Sequence, residues 1–428
     1  MNIDKLLSRS LKNVDECRQI SEDTFEEAWN VIEKKRRKKN RKKFIFSFRE
    51  FSAVAAFALL LILIPTLTSY YNKCNTPTKP NISQPQSSET AAKKSSEQVS
   101  TSTNTTEPSA NTNTLTGPIS EYYPFNANVK LTYTGNGMEY ASNITYVDFI
   151  KGNRIQLRTN NSGTEVCQVR EIKDGELRLI TSRPECYYKE DLTSVKNNKP
   201  EILLKEPLVK GTTWTLTDGR KCHITSIDAE ISTPIGTYKA IEVTTEGKSS
   251  IDLAYYAKGV GLIKFITVLS DNNQISTTLS KIEEKVPLTQ EIKIFNNDVE
   301  ANKYFYSTTK LSFNTNDSTK AIFETLFKSS PLKNFQCISE KTTINNLYLN
   351  TSERTVYVDF SKEFMERCVG TAGEFAVLYN ITSTLGTYYN VNKVLLTVEG
   401  KPYQSGHVVM KEGEAFTVDI RNPEEYKK

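Results

Sequence analysis

Nine cationic side chains between Lys34 and Lys43, broken only by Asn40, stand just ahead of an uncharged apolar stretch from Phe51 to Leu67. That adjacency restricts the chain more than any other feature. A helix needs about 17 to 25 such residues to cross the hydrocarbon core of a bilayer. The stretch, centred on Leu59 and followed by Tyr70 and Tyr71 as an interfacial aromatic pair, predicts a transmembrane anchor over residues 44–71. Lys and Arg flanking a span stay on the cytoplasmic side, so Lys34, Arg36, Arg37, Lys39 and Lys43 orient the N-terminus inward and the bulk of the chain outward. A cleaved signal peptide would have a short leading region and a small-residue cleavage site, whereas here about 50 residues precede the apolar run. Cys74 follows Tyr71-Asn72-Lys73, not the small apolar residues that lipidation of a cysteine requires.

The net charge of +5 is local to the basic block, and the rest of the 428 residues is slightly acidic. A broad nucleic-acid-binding face is therefore not expected, while attraction of the block to anionic inner-leaflet lipid is. Of the seven cysteines, Cys17 lies before the anchor and six lie after it, where export permits disulfides. Cys337 with Cys368 and Cys167 with Cys186 are candidate pairs, with connectivity left open. No CxxC spacing occurs, so neither a zinc ribbon nor a thioredoxin-like redox motif is indicated, and no metal or cofactor is expected.

Composition and periodicity divide the chain into five segments. Residues 1–43 form a cytoplasmic helical segment, with Leu6, Leu7, Leu11 and Val14, then Phe25, Ala28, Trp29 and Ile32, at helical spacing. After the anchor, residues 72–118 are rich in Thr, Ser, Asn, Pro and Lys and read as a disordered linker with a span of roughly 35 Å. Residues 119–285 alternate apolar and polar side chains between Gly and Asn turns, as in 129–133, 154–158, 176–180 and 238–243, and predict an antiparallel β domain. The local patterns around Leu208–Trp214, Thr233–Tyr238 and Tyr255–Leu262 resemble those of all-β modules in bacterial surface lipoproteins; Trp214, Tyr255 and Tyr256 are read there as core or barrel-mouth packing.

Residues 286–428 change to an α+β pattern: a strand near Glu291–Phe295, a helix over 319–327, a hairpin setting Ile344, Leu347 and Leu349 against Val356, Val358 and Phe360, a helix over 372–388, and a strand at 394–398. The apolar stripe of the second helix comprises Phe375, Leu378, Tyr379, Thr382 and Leu385. Within residues 286–428, Val358-Asp359-Phe360-Ser361, Thr384-Leu385, Lys393-Val394 and Gly400-Lys401 resemble, in order, the motifs of the GerMN domain, the sporulation and spore germination family. The resemblance implies a small sheet flanked by helices, similar to ring-building modules, that binds envelope proteins or assembles with copies of itself. It implies no catalytic constellation.

The residues themselves offer little chemistry. Only two histidines occur, His223 and His407. Cys222 and His223 are neighbours on an expected strand, so their side chains point to opposite faces. His407 reads as a solvent-facing turn residue. Asp359 and Glu374 are the carboxylates that a wall-cleaving enzyme would recruit, but Asp359 reads better as a turn cap, and the chain is not expected to be an enzyme. The expectation is thus a multidomain α+β envelope protein, acting in sporulation or germination, with the cell wall a further contact. Two alternatives stand beside it: a signalling protein whose cytoplasmic segment holds a sigma factor or similar regulator while the outer domains sense the wall, and a wall-modifying hydrolase.

Overall fold

The computed structural model describes residues 117–329, 336–367 and 370–426, all in one compact unit. The basic block, the apolar stretch with Phe51, Leu59 and Leu67, nearly all of the linker, and Cys368 lie outside the described residues. Among the described residues no helix is long and apolar enough to cross a membrane.

A single turn of helix, α1 (Ile119–Tyr122), leads into twelve strands: β1 (Lys130–Asn136), β2 (Asn143–Lys151), β3 (Arg154–Asn160), β4 (Glu165–Lys173), β5 (Glu176–Arg183), β6 (Glu201–Lys205), β7 (Thr213–Thr215), β8 (Lys221–Thr233), β9 (Gly236–Glu246), β10 (Ser250–Ala257), β11 (Gly261–Leu269) and β12 (Gln274–Glu283). They form two antiparallel meanders, β1–β6 and β7–β12, joined where β1 pairs with β12, Lys130 opposite Glu283. Period-two alternation is the cause: in β4, Cys167, Val169 and Glu171 are buried, with Gln168 and Arg170 between them only half-buried. Register shifts at Thr132/Tyr133, Val147/Phe149, Val169/Arg170 and Tyr255/Tyr256 raise the local twist and curl the sheet. Its two edges meet. The Trp214 indole of β7 donates to the Ile202 carbonyl of β6 at 2.9 Å, and Arg220 pairs with Glu201 at 3.2 Å across the same seam. The result is a nearly closed barrel, with Trp214, Tyr255 and Tyr256 buried in it as expected.

The C-terminal part begins with a hairpin, β13 (Leu288–Asp298) and β14 (Lys303–Phe313). Only the first of these strands was anticipated, because Tyr304-Phe305-Tyr306 breaks alternation and stays half-buried throughout. Helix α2 (Thr319–Lys328) follows, its first turn capped by the Ser318 hydroxyl accepting from the Ala321 amide. Next come β15 (Ile344–Asn350), β16 (Thr355–Phe360), α3 (Thr371–Tyr389) and β17 (Lys393–Val398). The hairpin register is the expected one, Ile344 against Phe360, Leu347 against Val358 and Leu349 against Val356. Strands β16 and β17 are parallel, with α3 as the crossover. Phe323, Phe327, Val356, Phe360, Ile381, Leu385 and Val394 share the core.

Of the expected stripe of α3, Leu378, Thr382 and Leu385 are buried and Tyr379 is half-buried, but the first position departs. Glu374, Leu378, Ile381 and Leu385 line the buried face, and Phe375 is 51% exposed. Adjacent helical positions are separated by about 100°, so once Glu374 turns inward its neighbour turns out.

The two parts dock through polar groups. The amide of Asn128, before β1, donates to Thr315 Oγ1 at 2.7 Å, and the Thr315 amide returns the bond to Asn128 Oδ1 at 2.7 Å. Thr315 Oγ1 also donates to the Val147 carbonyl, and Asn316 Oδ1 accepts from the Ile150 amide. From the β5–β6 connection, Lys189 enters the junction fully buried. Its ammonium donates to the Asn314 carbonyl at 3.0 Å between the rings of Phe149 and Phe313, and its amide donates to the Tyr388 hydroxyl.

Candidate functional site

Asp359, Phe360, Ser361, Gly400 and Lys401 are brought together at one end of β16 and β17, whereas Lys393 and Val394 lie at the other end, opposite Thr355 and Val356. The Asp359 carboxylate accepts from Thr397 Oγ1 at 2.6 Å, from the Gly400 amide at 2.8 Å and from Asn345 Nδ2 at 3.0 Å. Gly400 sits at φ 72°, a conformation that a side chain resists, and this is why a glycine closes the turn. Phe360 is buried and stacked on Phe364 at 4.4 Å, and the Ser361 hydroxyl accepts from the Thr343 amide. Val394 and Leu385 are fully buried, while Lys393 and Lys401 are exposed on the strands flanking the turn. Asp359 is thus a turn lock.

Thr384 has a separate task. Its Oγ1 accepts from the Phe295 amide at 3.1 Å, and one helical turn earlier Asn380 Oδ1 accepts from the Asn297 amide at 2.7 Å. Both amides lie on β13, which ends its sheet, so α3 covers two donors that another chain would otherwise reach.

Glu374, 1% exposed, accepts from the Tyr403 hydroxyl at 2.7 Å and from Ser405 Oγ at 2.5 Å, and lies 2.8 Å from His407 Nδ1. His407 is therefore not a simple solvent-facing residue: its ring is exposed at one edge and held at the other. Burial acts to raise the Glu374 pKa, but the bonds from Ser405, Tyr403 and His407 outweigh it and hold the carboxyl below its ordinary value. Ser405 and His407 both bond the carboxylate, so the group ties the C-terminal loop to α3.

A second buried polar group lies in the barrel wall facing the docking junction. Arg158 and Asp148, both nearly inaccessible, pair at 3.0 Å, and Arg158 also reaches Glu165 at 2.9 Å and the Cys186 and Tyr188 carbonyls. Cys167 and Cys186 lie here as buried, unbridged thiols in mutual contact. The contact with Cys167 and the guanidinium groups of Arg158 and Arg183 pull the Cys186 thiol down despite its burial, while the same contact and burial push Cys167 up. On β8, Cys222 is buried and His223 only half-buried, on opposite faces as expected. Among the described residues no three His, Cys, Asp or Glu side chains are placed to hold a metal.

The barrel interior holds a cavity of about 400 Å³. One end is closed by α1: the Ile119 amide donates to Glu206, and the Glu121 carbonyl accepts from the Gly259 amide in the β10–β11 turn. The other end is rimmed by Met138 and Tyr140 of the β1–β2 loop. Leu131, Val147, Leu157, Leu179 and Val243 give the walls their apolar part, interrupted by Thr and Asn side chains and by the charged groups Arg170, Glu201, Arg220 and Asp252. Neither the cavity nor its charges was foreseen, since they depend on which strands face one another once the sheet has curled.

Residues 286–404 match the Germane family model, described as sporulation and spore germination. No curated protein matches the chain. Three solved structures are similar at low scores. A protein described as exported, with a YmcC-like fold, from Bacteroides fragilis shares 9% identity, covers 38% of this chain and 98% of its own, and gives a TM-score of 0.24. One described as a lipoprotein, from Parabacteroides distasonis, shares 14% identity with the same coverages and a TM-score of 0.23. The tandem GerMN domains of the sporulation protein GerM from Bacillus subtilis share 20% identity over 31% of this chain and 46% of that one, with a TM-score of 0.22. The motif residues from Asp359 to Lys401 fall inside the family match, and residues 286–404 are a Germane domain, of the sporulation and spore germination family.

Proposed function

We propose that this is a single-pass envelope protein, N-terminus in the cytoplasm, whose extracytoplasmic Germane domain binds other envelope proteins or further copies of itself during sporulation or germination. The observation that carries the reading is an asymmetry between two strand edges of that domain. On β13, α3 occupies the amides of Phe295 and Asn297. At β15 the side chains of Glu324 and Lys320 engage only Ile344 and Asn345, and among the described residues no strand pairs beyond it. Next to that edge Tyr348, 45% exposed, stacks on Tyr357 at 5.0 Å between ring centres. An open edge beside a rigid aromatic pair supports strand addition by a partner, with main-chain bonds for affinity and the tyrosines as anchors.

The reading is non-enzymatic, because Asp359 and Glu374 are each engaged by three hydrogen-bonding groups inside the fold. In vivo cross-linking of the tagged full chain in sporulating cells tests the proposal. The wild type is expected to give a discrete adduct that Y348S/Y357S loses while its level and thermal stability hold. An adduct unchanged in the double variant removes this surface from the account, and a lytic band from the full chain on cell-wall material would make it an enzyme.

A further inference from the structure

The two arginines of the barrel interior differ in a way that identifies what the cavity accepts. Arg220 is neutralised three times over, by Asp218 at 2.7 Å, Glu201 at 3.2 Å and Asp252 at 3.8 Å. Arg170 makes no ion pair among the described residues. Its guanidinium lies over the Tyr123 ring at 5.3 Å, with Nη1 donating to the Tyr123 hydroxyl at 2.5 Å and Nη2 to Gln168 Oε1 at 3.0 Å, and its Nε has no partner. A guanidinium carries five N–H donors in a fixed fork, so at least three remain unused. Arg170 is half-buried, with its Nε fully enclosed; arginine cannot shed its proton, so a guanidinium largely withdrawn from water without a counter-ion is disfavoured.

Position matters as much as charge. Arg170 stands directly after the Val169/Arg170 bulge of β4, which re-aims the side chain, and the surface it keeps lines the cavity. Glu171, next on β4, faces away from the cavity, and the acidic neighbour on the cavity side is Glu201, two strands away through Leu179 and about 10 Å off by strand spacing. That carboxylate is already committed to Arg220, and burial raises its pKa and that of Asp252, weakening any pull on Arg170. Arg170 lies near the α1-closed end, through its bond to Tyr123, and Val147, Leu157 and Val166 lead from there toward Met138 and Tyr140, with Thr145 and Thr159 beside them.

We propose that the barrel binds one hydrocarbon chain bearing a carboxylate, a fatty acid, with the carboxylate on Arg170 and the tail directed toward the Met138–Tyr140 rim. The planar fork matches a carboxylate in bidentate geometry. The cavity volume lies within the range usual for small-molecule sites. The site is separate from the Germane domain and independent of its binding function.

A diazirine-bearing palmitic acid, photolysed with the purified full chain in zwitterionic nanodiscs, tests this by peptide mapping. Labelling is expected on the cavity walls at a stoichiometry of one. Oleate should compete at least tenfold better than oleyl alcohol, equivalent to about 1.4 kcal/mol. R170M should abolish that preference, and L157W, which fills the apolar wall, should abolish labelling while circular dichroism shows both variants folded. Should either variant unfold, competition on the wild type still decides. No wall labelling, equal competition by acid and alcohol, a preference retained in folded R170M, or stronger competition by dodecyl phosphate than by dodecanoate would each overturn the assignment.

Discussion

At the scale of single residues, this chain uses buried charge as a fastener. Glu374 holds the C-terminal loop through Tyr403, Ser405 and His407. Glu374→Gln removes an ionic acceptor, and a loss of about 1–3 kcal/mol in chemical denaturation is expected. The folded pKa of Glu374 is depressed, so its contribution is complete above the unfolded value of about 4.3 and fades as pH falls through the folded one. The stability gap between wild type and Glu374→Gln should therefore close on acidification below that value; a gap that is constant with pH would contradict the assignment. Arg158→Met leaves Asp148 buried without its partner and should cost about 3–5 kcal/mol. The Cys167–Cys186 contact makes a further prediction. Attack on a disulfide or oxidant needs thiolate, which the lowered Cys186 pKa supplies, so oxidised protein should yield a linked 167–186 peptide by mass spectrometry. Separate alkylation of both residues after oxidation would count against it.

At the scale of elements, legibility followed periodicity. The β15–β16 hairpin and α3 were readable because their apolar residues repeat at two and at three to four. Strand β14 was not, since three consecutive aromatic residues at 304–306 are half-buried without alternation. The inward turn of Glu374 at the start of α3 is not legible for a related reason: a glutamate is ordinarily assigned to solvent, and only its contact with residues about 30 positions later brings it inside. The cap on β13 was likewise hidden, because Asn380 and Thr384 look like surface polar residues until the strand they serve is known. Thr384→Val strands the buried Phe295 amide and should cost about 1–3 kcal/mol by urea denaturation, while Thr384→Ser should cost less. Equal losses in the two variants would mean that methyl packing, rather than the hydrogen bond, is what matters.

At the scale of the molecule, the barrel and the Germane domain meet through the reciprocal Asn128–Thr315 bonds and the buried Lys189, so neither part ends in a free linker. Calorimetry should show one cooperative transition for the two, and Asn128→Ala with Thr315→Ala should split it or lower its midpoint by several degrees. Their proposed placement outside the cell is argued from the sequence before residue 117, from the basic block Lys34–Lys43 ahead of the apolar stretch Phe51–Leu67. Protease added to intact protoplasts carrying a C-terminally tagged chain addresses that placement most directly. Cleavage within residues 72–118 should release the tag into the medium before lysis; a tag that stays with the protoplasts, protected until the membrane is broken, would contradict it.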